Sequence, residues 1–209
     1  MADNIKNVRV LPCAESKYIK PYRMHYQQNG VQKTWDYTNV HDSVVIMIFN
    51  VTRKVFVLVK QFRPAVYVSI VEVQDGSIDT DKYPGIRGIT YELCAGIVDK
   101  KISLEEIARE EVLDETGYDV PLETLEKVSS YRSGVGTTGS LQTMFYVEVT
   151  DDMRTSQGGG LVDEGEMIDV IEIPLQESKQ FIFDQTKSKP VGLMFAFMWF
   201  FEMKAKQFE

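Results

Sequence analysis

Four carboxylates crowd into six residues of this chain, at Glu110, Glu111, Asp114 and Glu115. Ser103 followed by Glu105 and Glu106 is a helix start, because the serine can cap the first amides and a glutamate three residues on can reach back. Gly117 is a natural stop, since glycine takes the left-handed conformation cheaply. At about 100° per residue, Leu104, Ile107 and Ala108 share one apolar sector of the intervening helix. Continued toward the C-terminus, that sector reaches Glu111 and Glu115, with Asp114 at its edge. A solvated acidic face is one reading of such a cluster. The other is a metal site, because carboxylates on a core-facing sector are costly to bury without a compensating cation. A hard cation such as Mg²⁺ takes oxygen ligands and leaves positions for substrate phosphates.

The elements around this helix are legible in outline. SVVIMIFN and VFVLVK are two apolar runs joined by a polar turn at Asn50 to Lys54, a meander that enters a sheet near Ser43. The second run leads into QFRPAVY, which puts Arg63 at a strand end with a planar fork suited to phosphate oxygens. Residues 74–89 are polar, with Gly and Pro, and read as a loop. Another strand follows the helix as far as YRSGVGTTGS, and LQTMFYVEV is the next. Three glycines, Gly158 to Gly160, then read as a mobile hinge leading into Glu164 and Glu166, just ahead of a further strand. Helices follow Pro174 and Pro190, and in the second the stripe Phe195, Met198, Trp199 and Glu202 is expected to pack on the core. Ahead of all this, Tyr18 to Gln27 and Val31 to Tyr37 flank Asn29-Gly30, a strong hairpin turn signal.

Gly96, Glu111, Asp114, Glu115, Gly117 and Tyr118 fall at the spacings of the Nudix box, and the chain resembles the Nudix hydrolases. The segments HDSVVIMIFN, LVKQFRPAVY, ELCAG, SGVGTTGS with QTMFY, and GGGLVDEGE resemble the branch that hydrolyses nucleoside diphosphate sugars. The resemblance implies an α+β protein, an α/β/α sandwich around a mixed sheet, over residues 43–209. Residues 1–42 would then be a hairpin extension that serves as a dimerisation arm in a homodimer. It implies Mg²⁺, with Mn²⁺ as the alternative, held by Glu111, Asp114, Glu115, Glu166 and the carbonyl of Ala95. It also assigns Arg63 to the diphosphate and Glu164 to proton removal, with Glu111 as the other candidate base. The expected reaction splits a UDP-sugar such as UDP-glucose into UMP and a sugar 1-phosphate. Ser133 and Gly134 stand where the ADP-ribose-preferring branch carries a proline, although an ADP-ribose or ADP-sugar hydrolase would use the same machinery. Two box positions depart from the pattern: Ile102 replaces a glutamate, and Glu110 replaces the arginine, with Arg109 one residue early. Those losses leave open a catalytically silent binding module.

Composition narrows the classes further. The chain has 209 residues, 44% of them hydrophobic, and a net charge of −8, enough for one sizeable core and opposed to a nucleic-acid surface. Cys13 and Cys94 make no CxxC pattern or disulfide framework, and with no signal-like apolar run the expected compartment is cytoplasmic. Val191 to Phe201 is too short to span a bilayer. Two histidines, His25 and His41, support neither a histidine-ligated metal nor a serine triad.

Overall fold

In the computed structural model, which describes residues 2–16, 19–161, 163 and 165–208, the central strand is β3 (Ser43–Asn50). It is apolar at consecutive positions because both its faces are covered. Val44, Ile46 and Ile48 face one core, while Val45, Met47 and Phe49 face the other. Along one edge β3 pairs in parallel with β8 (Ser140–Val149) over its full length, from Ser43 opposite Gln142 to Asn50 opposite Val149. Beyond β8 lies β7 (Glu126–Ser133), antiparallel, with a register shift between Lys127 and Ser129.

The other edge of β3 is divided. Its last residues, Ile48 to Asn50, pair antiparallel with the start of β4 (Val55–Phe62), while Ser43 to Ile46 pair with β6 (Cys94–Ile97). β4 in turn pairs with β5 (Ile89–Glu92) on that side and with β9 (Ile168–Pro174) on the other. The two central strands therefore separate after their turn, and the segment 89–97 fills the gap by crossing from β4 to β3. Buried Leu93 sits at the crossing. Arg63 caps a short helix, α1 (Pro64–Ser69), which has proline at its first turn, where the missing N–H costs nothing.

Helix α2 (Leu104–Thr116) covers one face of the sheet through Ile107, Ala108 and Val112. Helices α3 (Leu175–Phe183) and α4 (Val191–Met203) cover the other through Phe181, Ile182, Leu193, Ala196, Phe197 and Phe200. Phe49, Phe56, Phe197 and Phe200 pack with ring centroids 4.5–4.9 Å apart, a range that favours tilted aromatic contacts. The result is an α+β fold, a mixed sheet between helices. The stripe expected to be core on α4 is reversed. Phe195, Met198 and Glu202 are exposed and Trp199 is half-buried, whereas the 193/196/197/200 face is buried. This helix is apolar nearly all round, so its periodicity does not select a face.

The N-terminal hairpin is a separate two-stranded sheet, β1 (Lys20–Gln28) and β2 (Val31–Asn39). Asn29 and Gly30 both have positive φ, 52° and 80°, the turn whose twist matches a two-residue hairpin. The hairpin touches the body at the 134–139 loop, where the Trp35 indole N–H donates to the Gly136 carbonyl at 2.9 Å and the Thr38 amide to Thr137 at 2.8 Å. Tyr22, Met24, Trp35 and Tyr37 remain exposed. Residues 8–10 belong with the body, because the amide of Val10 donates to Gly76 and that of Ile78 to Val8. Docking that first segment is what the 74–89 loop contributes.

Candidate active site

Helix α2 begins and ends on its local chemistry. The Ser103 hydroxyl accepts from the Glu106 amide at 3.2 Å, and the Glu106 carboxylate accepts from the Ser103 amide at 2.8 Å. At the other end Gly117, at φ 79°, sends its amide to the Leu113 carbonyl. Between these caps the helix lies over β6 so closely that a Cβ on Gly96 would overlap the Glu111 carboxylate. The missing side chain at Gly96 is what lets Glu111 rest on the strand.

Glu115 is 3% exposed, and its carboxylate accepts from the Ala95 amide at 3.0 Å and from the Cys94 thiol. Burial pushes its pKa up to about 8, against the two hydrogen bonds, and the charges of Glu111 and Glu166 raise it further. Burial also lifts Glu111, to about 7, with Glu166 and Asp114 adding to the rise and Lys100 opposing it. Asp114 is raised too, by burial first, again against Lys100. The Cys94 thiol is pushed well up by burial and the same carboxylates, so it is a packed, unreactive group.

Glu166 arrives from the loop ahead of β9, where its carboxylate accepts from the Leu161 amide at 2.8 Å. Glu164 lies outside the described residues. The three glycines are docked rather than free. Their φ values are 68°, 113° and 80°, the Gly159 amide donates to the Glu115 carbonyl at 2.8 Å, and the Gly160 amide to Asp114 at 3.1 Å. They close off carbonyls at the end of α2, which otherwise lack partners.

Arg63 is paired on its strand end: Nε and one Nη donate to the two oxygens of Glu92 at 2.8 and 2.7 Å. The Thr90 hydroxyl donates to the same carboxylate. Glu92 holds the guanidinium pKa above its usual value, against burial. Arg63, Ala95, Glu111, Asp114, Glu115 and Glu166 line one cavity of about 500 Å³, a size suited to a small-molecule ligand. Sequence reasoning assigned no role to Glu92, Lys100, Tyr131 or Gln142, which line it too. Glu92 was findable, since β5 alternates and places Thr90 and Glu92 on one side.

The donor set suits a hard divalent cation: carboxylates and a backbone carbonyl, with Glu111, Asp114 and Glu115 held above the usual carboxylate range by burial first and by neighbouring carboxylates second. Among the described residues no three such side chains converge closely enough to hold a metal as they stand. Arg109, one residue before the expected box arginine, turns away to the Val120 carbonyl and Asp119, each at 2.9 Å. Lys100 is bonded to Glu110 at 2.5 Å and brings a positive charge to this side of the cavity.

No family model matches the chain. It is 48% identical to the uridine diphosphate glucose pyrophosphatase of Bos taurus over 215 aligned residues, 97% of each chain. It is 46% identical to the enzyme of the same name from Mus musculus over 211, 95% of each. The chain is a Nudix hydrolase of the nucleoside diphosphate sugar branch. A more distant relative, the GDP-mannose pyrophosphatase of Salmonella arizonae, is 36% identical over 137 residues, 66% of this chain and 62% of that one. For this Nudix hydrolase the family implies dependence on a divalent metal. No helix among the described residues is long and apolar enough to cross a membrane.

Proposed function

We propose that this Nudix hydrolase splits the diphosphate of a UDP-sugar, UDP-glucose foremost, into UMP and a sugar 1-phosphate, with Mg²⁺ as its metal. The observation that carries the reading is 46–48% identity over nearly the whole chain to two UDP-glucose pyrophosphatases, joined to a cavity with a carboxylate wall and an arginine. Glu111, Asp114, Glu115, Glu166 and the Ala95 carbonyl would hold the metal. Once bound, the cation neutralises the carboxylates and the diphosphate and polarises the phosphoryl oxygens. Arg63, its fork set by Glu92, orients the diphosphate for in-line attack by water. Water oxygen bonds to phosphorus, the bond to the bridging oxygen breaks, and the proton passes to a carboxylate. We assign that base to Glu164, with Glu111 as the alternative.

The same reading makes residues 1–42 an N-terminal extension, docked on the body at residues 8–10 and carrying the hairpin as its arm, on a catalytic body of 43–209, and the protein a homodimer. The exposed Tyr22, Met24, Trp35 and Tyr37 support it, because a two-stranded ribbon is marginal alone and gains by covering its apolar side chains. A cytoplasmic location is supported by two free cysteines, Cys13 and Cys94. The deciding experiment is hydrolysis of UDP-glucose and ADP-ribose side by side with Mg²⁺. Higher kcat/KM on UDP-glucose is expected. A preference for ADP-ribose overturns the substrate, and no hydrolysis of either overturns the reaction.

A further inference from the structure

The same cavity contains a polar row that the reaction does not use. Tyr131 on β7 lies opposite Gln142 on β8, and Gln142 lies opposite Ser43 on β3, so the three cross the sheet at one level. All three line the cavity that holds Arg63 and the carboxylates. The Tyr131 ring is packed edge-on against Phe195 of α4, with centroids 5.7 Å apart at 72°. Its hydroxyl sits over Gly192, where a Cβ would overlap it, and the Gln142 Oε1 is 3.6 Å from that same position. Among the described residues the Tyr131 hydroxyl is the buried side-chain polar atom left with no hydrogen-bond partner.

A buried, unpaired hydroxyl is costly and calls for a partner. Here the ring packs against Phe195 and the hydroxyl lies over Gly192 at the wall of the cavity, so a ligand seated there is the partner within its reach. A ligand that places its diphosphate near Arg63 shares this cavity and can reach the row. Hydroxyl, amide and hydroxyl in sequence offer donors and acceptors to a polyol. A nucleobase is held largely by stacking on a ring face, whereas the group of this row left without a partner is a hydroxyl. We infer that Tyr131, with Gln142 and Ser43, forms the subsite that hydrogen-bonds the sugar of the nucleoside diphosphate sugar. Tyr131 is thus a specificity residue, not a catalytic one. The inference rests on the substrate class proposed above.

The test compares Tyr131→Phe with the parent, in Mg²⁺, on UDP-glucose, on CDP-glucose and on UDP carrying a methyl ester in place of the sugar. Loss of one good hydrogen bond predicts a fall in kcat/KM of about five- to tenfold on both glucose substrates, carried mainly by KM. The methyl ester should lose nothing. The melting temperature should stay level or rise, because the hydroxyl removed has no partner in the protein; a structural role would lower it. Gln142→Ala should repeat the sugar-dependent loss and serves if Tyr131→Phe is poorly folded. Equal losses on the methyl ester and UDP-glucose overturn the subsite, and so does a loss confined to the uridine substrates, which would mean that the row reads the base. If the parent prefers ADP-ribose to UDP-glucose, the proposed substrate falls. The same comparison on ADP-ribose and methyl ADP then still decides whether this row reads a sugar.

Discussion

Removing the charge of Glu115 while keeping its shape should stabilise the metal-free protein. The carboxyl moves from an ordinary value of 4.5 to about 8, chiefly because it is buried. A raised carboxyl pKa means that the folded state keeps a proton which the unfolded chain has already released. Between pH 4.5 and pH 8 the folded state therefore binds more protons, and stability falls as pH rises through that window. At about 1.4 kcal/mol per pH unit, and with the group half-ionised at about pH 8, the loss is at most about 4 kcal/mol. Relaxation and water entry reduce it, so about 2–4 kcal/mol is the working range. Glu115→Gln carries no charge at any pH, and its amide oxygen can still accept from the Ala95 N–H.

Thermal unfolding in a chelator at about pH 5 and pH 8, for parent and Glu115→Gln, reads this directly. For a chain of this size 1 kcal/mol is worth about 2–4 °C, so the parent should lose roughly 5–15 °C more than the variant between the two pH values. Glu111, raised to about 7, remains in both, so the difference reads Glu115 together with its repulsion from Glu111. Adding Mg²⁺ at the higher pH should then raise the melting temperature of the parent well above that of the variant, since only a folded site binds the ion. If metal-free parent and Glu115→Gln show the same change between the two pH values, the burial cost assigned to Glu115 is wrong. If Mg²⁺ does not move the parent, the metal assignment goes with it.

Three further outcomes follow from contacts already described. Arg63→Lys should raise KM about tenfold or more, because a point charge cannot keep the two-bond pairing with Glu92 while facing a diphosphate; steady-state kinetics on UDP-glucose checks it, and an unchanged KM removes Arg63 from the substrate. Gly158→Ala should lower stability by about 1–3 kcal/mol, since φ is 68° and a Cβ would overlap the Glu115 carbonyl; denaturant unfolding measures it. On the proposed homodimer, deleting residues 1–38 should shift sedimentation toward monomer or aggregate, whereas a full-length protein that is monomeric at micromolar concentration overturns the dimerisation arm.

How far the sequence could be read follows the kind of interaction involved. The ends of α2, the Asn29-Gly30 turn and the strands beginning at Ser43 and Val55 are set by local residues, and they appear where local chemistry puts them. The acidic sector was legible for the same reason, because Glu111 and Glu115 continue a helical period that begins at Ile107. The buried face of α4 was not legible, since nearly every side of that helix is apolar and only the sheet it meets makes the choice. Helix α1 was missed because six residues are too few to show a period. The subsite row at Tyr131, Gln142 and Ser43 depends on strand register across β7, β8 and β3, which lie far apart along the chain. Nothing local in the sequence marks that alignment.

The glycine run shows how a local reading of composition can miss the contacts that the fold gives the same residues. Three consecutive glycines read as a hinge before two glutamates. In the fold the amides of Gly159 and Gly160 bond the carbonyls of Glu115 and Asp114, and a side chain at Gly158 would strike the helix end. Each glycine takes a positive φ that other residues adopt at a cost. The loop that presents Glu166 therefore starts, at Gly160, from a point fixed to α2. Two carboxylates on the helix and one on the loop are placed by a single backbone junction. Charge repulsion among Glu111, Glu115 and Glu166 pushes that junction apart, and a bound cation would draw it together. Substitution at the glycines should consequently disturb the acidic wall itself, and not only the speed with which a loop moves.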